Sequence, residues 1–268
     1  MRYLLFMVLV LWLGGCGNDK HPPVDRDDVY DPIPVYNEAE ATPPYVYEKF
    51  QHMLRDAKLQ YPQSETVVQA DEFEGYQSAF FYCDKSEQLH FTVDKQQALP
   101  KMRSELRMLE EWQTSETPGH HWQATLKTPK PEKGITSYTW MQIHGTNDTY
   151  DFPLLRLAWL RDREGKYDHL WAIIITNAPH PSEAESQPEE AVNTYNWVDL
   201  GERPQERFDL DVTIEANRMS ISLNDHLMVW KDVSYWQDVL NYFKGGVYVN
   251  RHDDAGGATV IFDRIKME

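Results

Sequence analysis

Stretches that alternate polar and apolar residues with a period of two recur through the chain after its first sixty residues. Alternate residues of a β-strand share one face, so this period is typical of strands buried on one side. Three stretches carry many chemically active groups: residues 103–107 (RSELR), 142–144 (QIH) and 242–250 (YFKGGVYVN). Each stretch would point cations, amides, an imidazole or phenols to one side of its strand. We therefore expect one polar face that suits an acidic ligand and a proton transfer.

The rest of the pattern also predicts short strands. Apolar or alternating runs are separated by clusters rich in Pro, Gly, Asn and Asp, which favour turns. Only residues 46–60 have helical spacing, and they predict one short amphipathic helix. Many short strands with little helix favour an all-β antiparallel sandwich or jelly roll. The runs that predict strands are residues 79–83, 89–93, 122–126, 137–144, 154–160, 169–176, 208–215, 218–223, 246–249 and 258–262.

The N-terminus has the features of a targeting segment. Residues 1–15 hold one basic residue and an apolar run that is too short to span a bilayer, which predicts a secretory signal peptide. The string LGGC that ends at Cys16 resembles the lipobox of bacterial lipoproteins, in which the cysteine is lipidated after cleavage. By resemblance to lipoprotein sorting in bacteria, Gly17 rather than Asp after the cysteine favours an outer-membrane lipoprotein, with its folded domain in the periplasm or at the cell surface. The alternative is an ordinary secretory signal followed by a chance cysteine.

Residues 16–45 contain repeated prolines and few apolar clusters, so they predict a lipid-anchored, semi-rigid tether. Packing of this segment along the domain through Tyr30, Tyr36 and Tyr45 is the alternative. Residues 46–268 are long enough for one large β domain, and we expect a monomer.

Charge and cysteine content limit the possible partners. The formal net charge of −17 disfavours a nucleic-acid partner, and an acidic ligand would need local cations. Cys83 lies in an apolar run and is predicted to be a buried, inert thiol. We expect no metal and no cofactor, since the weak clusters of possible ligands resemble solvated loops. Those clusters are residues 120–121, 147–151 and 252–254.

The three polar stretches hold the groups needed to cleave a 4-linked uronic acid polymer. Removing the proton at C5 lets the 4-linked glycosidic oxygen leave, but the neighbouring carboxylate must first be neutralised. Arginine and amide donors can neutralise it, after which a base and an acid complete the reaction. Tyrosine has an unperturbed pKa of ~10, so it can act as the base only beside positive charge. Arg103 and Lys244 are the candidates for that charge.

The stretches RSELR, QIH and YFKGGVY resemble, in the same order, the signature blocks of the alginate lyases of polysaccharide lyase family 7. The resemblance extends over roughly residues 75–267 and implies a concanavalin A-like jelly roll of two antiparallel sheets with an open groove. It also implies metal-independent β-elimination of alginate, an acidic polysaccharide. The strings diverge at Gly245, where Ala is usual, and at the end of the third block, which leaves subsite specificity open.

The resemblance also implies a role for each site residue. Arg103 and Gln142 would neutralise the substrate carboxylate, and His144 would be the base toward guluronate or a second neutralising group. Tyr248 would protonate the leaving oxygen and, toward mannuronate, would also remove the C5 proton. Ile143, between Gln142 and His144, is associated in the family with guluronate-containing stretches. The predicted substrate-binding residues are Lys244, Arg107, Glu105, Asn250 and Tyr242, with Lys244 as a subsite cation and Glu105 orienting Arg103.

Three questions stay open at the level of sequence. The same residues would serve a lyase acting on another uronan such as glucuronan, and a non-catalytic sugar-binding jelly roll is an alternative of a different class. Endo and exo action are not distinguished. Residues 182–190 form an acidic segment that is either a solvated insertion or a flap over the groove.

Overall fold

The structure is a computed structural model that describes residues 34–95, 99, 101–146, 150, 152–177, 194–250 and 255–268. Within these ranges the chain forms two antiparallel β-sheets and one α-helix, α1 (Glu48–Arg55). The predicted all-β jelly roll with a short N-terminal helix is therefore confirmed. Single 3-10 turns lie at Pro44–Val46 and Ser234–Trp236.

The strands are β1 (Ala57–Gln60), β2 (Thr66–Val68), β3 (Phe81–Cys83), β4 (Leu89–Lys95), β5 (Met102–Met108), β6 (His120–Lys127), β7 (Ser137–Gly145), β8 (Pro153–Arg163), β9 (Lys166–Ile175), β10 (Tyr195–Glu202), β11 (Phe208–Glu215), β12 (Arg218–Leu223), β13 (His226–Asp232), β14 (Asn241–Val249) and β15 (Gly256–Met267). The eight-stranded sheet has the order β10-β9-β8-β7-β14-β5-β1-β2. The seven-stranded sheet has the order β13-β12-β11-β6-β15-β4-β3.

Three hairpins close with two-residue turns whose residues all have positive φ. They lie at residues 164–165, 216–217 and 224–225. Positive φ at both central positions matches the twist of the flanking strands, which makes such turns the favoured short hairpin connection. The turns fix the pairing of β8 with β9, of β11 with β12 and of β12 with β13.

Five tryptophans are buried in the core between the two sheets. At ~25 cal/mol per Å² and ~150 Å² for each side chain, a buried tryptophan gains roughly 4 kcal/mol of transfer free energy. The residues Trp112, Trp122, Trp140, Trp159 and Trp236 are each at most 2% exposed in this cluster. A separate small cluster of Ala158, Trp171 and Ile173 lies on β8 and β9, and Trp197 of β10 packs against it. The alternation along these strands places the small cluster on the opposite side of its sheet from the core.

The predicted helix over residues 46–60 is too long. Helix α1 ends at Arg55, and residues from Ala57 onward form β1, which pairs with β5. Phe50, Met53 and Leu54 are buried as the helical spacing predicts. Ala57 is buried too, but as the first residue of a strand, because alternation places Ala57 and Leu59 in the core. Pairing with β5 overrides a weak helical preference at this point.

The last part of the predicted tether packs against the domain. Thr42 exchanges backbone hydrogen bonds with Cys83, and the ring of Tyr36 contacts the ring of Tyr82 edge-on. Tyr45 accepts a hydrogen bond from Arg55 and packs against the core. The described end of the segment thus follows the packing alternative rather than an extended tether.

The signal segment, Cys16 and the acidic segment 182–190 lie outside the described residues. Among the residues that are described, no helix has the length and apolar character needed to cross a bilayer.

Candidate active site

The three polar stretches lie on adjacent strands. β14 is the central strand of the three, with β5 on one side and β7 on the other. About 35 residues separate the first stretch from the second, and nearly a hundred separate the second from the third, so the sheet topology brings them together. The side chains that alternate with them, such as Leu106 and Ile143, are fully buried in the core. The polar side chains therefore share the face of the eight-stranded sheet that is turned away from the core, hereafter the open face.

Cross-strand register orders the site residues into rows. His144 pairs with Tyr242 at one end. Tyr248 pairs with Arg103 at the other end. Gln142 lies between these two ends, beside Lys244. The phenol of Tyr248 and the imidazole of His144 therefore flank a central region, and the predicted carboxylate-binding amide is part of its floor.

Glu105 is the centre of the polar network in this floor. It is fully buried, and its Oε1 accepts a hydrogen bond of 2.6 Å from Nε2 of Gln142. Its Oε2 lies 2.5 Å from Nζ of Lys244 and 3.3 Å from Nη1 of Arg103. One carboxylate thus holds two of the predicted catalytic side chains in place. The sequence predicted that Glu105 orients Arg103, but the link to Gln142 was not predicted.

Burial and neighbouring charges act in opposite directions on the pKa values of Glu105 and Lys244. Burial alone would raise the pKa of Glu105, but the charges of Lys244 and Arg103 and the hydrogen bonds from Lys244 and Gln142 outweigh it, so this pKa lies below its usual value. Burial lowers the pKa of Lys244 to about 8, against the opposing charge of Glu105. The Lys244 side chain is 2% exposed. The ammonium therefore lies in the buried floor of the site, and the role of Lys244 as a subsite cation stays a prediction.

Cations lie against both tyrosines of β14. The guanidinium carbon of Arg103 is 4.7 Å from the ring centroid of Tyr248. The guanidinium carbon of Arg107 is 4.0 Å from the ring centroid of Tyr242, and the same side chain binds Glu111 at 2.5 Å. These contacts provide the positive charge that a tyrosine needs if it is to act as a base.

The imidazole of His144 has a defined orientation. Its ring stacks on Tyr242 with a centroid distance of 5.4 Å, and Nδ1 lies 3.0 Å from the carbonyl oxygen of Gly145. A carbonyl oxygen only accepts hydrogen bonds, so Nδ1 carries the proton in the neutral ring. The lone pair that can accept a proton is then on Nε2.

Gly246 allows the close approach of β14 to β5. Its φ is +146°, and a Cβ at this position would overlap the carbonyl oxygen of Ser104 and lie 2.8 Å from the Cα of Glu105. Asn250, the remaining predicted binding residue, follows the end of β14 and is partly exposed.

Two cations that the motifs did not include lie on the same face. Lys58 of β1 is the register partner of Arg107, and Arg156 of β8 is the register partner of Gln142. Lys58 was missed because the sequence predicted a helix through residue 60, so its position on a strand face was not considered. The alternation of residues 154–160 already contained the signal for Arg156.

Cys83 is a free, buried thiol, as predicted, and burial raises its pKa. Across the described ranges, no three His, Cys, Asp or Glu side chains cluster as metal ligands would. The described member of the predicted weak clusters, residues 120–121, is engaged with protein groups: His120 contacts Glu116 and His121 contacts Thr213. Residues 147–149, 151 and 252–254 lie outside the described ranges.

Comparison with known proteins identifies the family. The family model described as alginate lyase matches residues 54–268, which is most of the chain. The chain belongs to the alginate lyases of polysaccharide lyase family 7. The predicted family membership and enzyme class are thus confirmed.

Individual alginate lyases are similar over most of their length. A curated alginate lyase of Photobacterium sp. (strain ATCC 43367) is 27% identical over 236 residues, which cover 76% of this chain and 81% of the relative. The structure of alginate lyase AlyC3 in complex with dimannuronate has a TM-score of 0.76 and 23% identity, covering 88% of this chain and 98% of AlyC3. Alginate lyase A1-II′, a member of polysaccharide lyase family 7, has a TM-score of 0.64 and 20% identity, with 85% and 98% covered.

Proposed function

We propose that this alginate lyase cleaves alginate by β-elimination at the open face of its eight-stranded sheet, giving unsaturated oligosaccharides. The observation that carries the proposal is the shared face on which Arg103, Gln142, His144 and Tyr248 surround the Glu105 network. Donors for a carboxylate lie between two groups that can transfer protons, which is the arrangement that the reaction needs.

Arg103 and Gln142 would bind the carboxylate of the reacting uronate. Nε2 of Gln142 has two protons, of which Glu105 accepts one, so the second is available to a substrate oxygen. The guanidinium of Arg103 contributes further donors and a positive charge. Together they stabilise the negative charge that develops when the C5 proton leaves.

The proton transfers balance as follows. The base takes the proton from C5, the electron pair of that bond forms the C4–C5 double bond, and the C4–O bond breaks. The phenol of Tyr248 gives its proton to the departing glycosidic oxygen. Toward guluronate, Nε2 of His144 is the base and the Tyr248 phenol gives its own proton. Toward mannuronate, Tyr248 starts as the phenolate, takes the C5 proton and then gives that proton to the departing oxygen.

Guluronate-containing stretches are the proposed preferred substrate, on the basis of the QIH string. Ile143 is fully buried in the core, so any influence it has on preference acts through the placement of Gln142 and His144. AlyC3 was solved with dimannuronate, and this similarity favours mannuronate as a second candidate.

The deciding experiment offers the purified protein polyguluronate, polymannuronate and glucuronan separately, and follows the ultraviolet absorbance of the C4–C5 unsaturated product. We expect absorbance to rise with both alginate blocks, faster with polyguluronate. A rise with glucuronan alone would assign the enzyme to another uronan. The absence of a rise with all three polymers would contradict the proposed reaction and favour a non-catalytic binding role.

We also propose that the protein is an outer-membrane lipoprotein anchored through Cys16, on the basis of the LGGC string. Fractionation of bacterial cells that express the full chain tests this. We expect the wild-type chain in the membrane fraction. We expect the Cys16→Ser variant either in the soluble fraction or with its signal segment uncleaved. Equal distribution of the two chains would favour an ordinary secretory signal.

A further inference from the structure

One row of cross-strand register partners passes through the site and ends in a cation on each side, Lys58 on one and Arg156 on the other. Successive register partners along this row are Lys58 with Arg107, Arg107 with Lys244, Lys244 with Gln142, and Gln142 with Arg156. The row runs across β1, β5, β14, β7 and β8. It is perpendicular to the strands and passes through the region between Tyr248 and His144.

Both end residues face the same side as the site. Lys58 lies between Ala57 and Leu59, which are fully buried in the core. Arg156 lies between two fully buried leucines of β8. Side chains that alternate with core residues point to the open face. Lys58 and Arg156 are partly exposed there, whereas the Lys244 side chain is buried.

The spacing of the row suits a polymer. Neighbouring strands lie ~4.8 Å apart, so the four steps from Lys58 to Arg156 span roughly 19 Å. This is longer than one sugar ring, while Gln142 lies inside the span. A uronan that crosses the strands over Gln142 would therefore carry its flanking residues toward Lys58 on one side and Arg156 on the other.

Lys58 is a cation placed beside another cation. Within the described part of the chain no carboxylate lies within ion-pair distance of its ammonium, and Arg107 is its register partner. Partial burial lowers the pKa of Lys58, and the charge of Arg107 lowers it further, while Glu111 acts in the opposite direction. An anionic group bound between the two cations would relieve their repulsion.

We propose that Lys58 and Arg156 bind carboxylates of uronate residues that flank the reacting residue on opposite sides, so that the polymer lies across the strands. This inference rests on the proposed function. It adds two binding residues outside the three motifs, and it assigns the orientation of the bound polymer relative to the strands. Arg156 also lies 5.9 Å from the ring centroid of Tyr195, which places an aromatic side chain near its end of the row.

The test measures kcat and KM for the purified full-length protein on uronate oligomers of increasing length. For Lys58→Ala we expect KM to rise about tenfold on long oligomers, as for loss of a charged hydrogen bond, with kcat nearly unchanged. We expect Lys58→Arg to retain most of the affinity. We also expect added salt to reduce the difference in KM between Lys58→Ala and the wild type. Arg156→Ala should also raise KM, at a different minimum oligomer length, because it acts on the other side of the reacting residue.

Lys85→Ala is the matched control, because the Lys85 side chain is 78% exposed and lies beyond β3 in the other sheet. If KM of Lys58→Ala and Arg156→Ala equals that of Lys85→Ala at every length, the inference is wrong while the proposed function stands. If the wild type cleaves no uronan, the proposed function fails. Binding of the same oligomers, followed by protein fluorescence, then decides the inference: weaker binding to the two variants supports it, and binding equal to the control overturns it.

Discussion

Replacing Tyr248 with Phe is expected to lower kcat by about 10³-fold, within the range for loss of a general acid–base group. The variant keeps the aromatic ring, so the contact with the Arg103 guanidinium at 4.7 Å from the ring centroid is retained. Only the hydroxyl that would protonate the leaving oxygen is lost. Steady-state kinetics on polyguluronate and polymannuronate measure the effect, and we expect KM to change much less than kcat.

Tyr82→Phe is a suitable control for this variant. Tyr82 is a buried tyrosine of β3 in the seven-stranded sheet, where its ring stacks on His90. We expect this control to have wild-type kinetics. Full activity in Tyr248→Phe would refute the assignment of the proton donor. A large loss on mannuronate with a small loss on guluronate would instead confine Tyr248 to the base role.

The second large effect is expected from Glu105→Gln, which removes the charge at the centre of the polar floor. The ammonium of Lys244 would stay buried without its counter-ion, which typically costs about 3–5 kcal/mol. The new amide would also present donors toward Gln142 and Arg103, which need an acceptor. We therefore expect a lower free energy of unfolding in denaturant titrations, and little remaining lyase activity.

A double variant separates the two consequences. Glu105→Gln with Lys244→Met removes both buried charges, so the ammonium of Lys244 is no longer buried without a counter-ion, which is the costly case. We expect most of the unfolding free energy to return while activity stays low, because Gln142 and Arg103 still lack their carboxylate. Recovery of activity together with stability would show that Glu105 serves only the fold. A single variant as stable as the wild type would contradict the buried ion pair itself.

Much of the fold follows from local alternation in the sequence. The runs at residues 208–215 and 218–223 predict β11 and β12 with correct bounds, since their apolar residues have a clear period of two. β2, β10 and β13 were not predicted. β13 keeps Leu227 and Trp230 exposed, so its sequence has little one-sided pattern. The missed start of β1 has a different cause, since pairing with a distant strand decided its conformation. Contacts between distant segments are not encoded in a local window.

The sequence predicts which of the candidate site residues share a face of the sheet, but not the contacts between them. Period two correctly assigns Arg103, Gln142 and Tyr248 to faces of their strands. It does not tell which polar group on a face is covered, since that depends on the neighbouring strand. Lys244 illustrates the limit, because its ammonium is removed from solvent by Glu105, which lies a strand away and more than a hundred residues earlier.

Because β14 lies between β5 and β7, the candidate active site is complete only once this strand has joined the sheet. The strand enters the sheet from the last tenth of the sequence, after both of its neighbours have been synthesised. A chain without this strand would lack Lys244, Tyr248 and the hydrogen-bonded neighbour that joins β5 to β7. A nascent or C-terminally clipped chain would thus have no partially functional form, which couples the onset of turnover to completion of the central sheet.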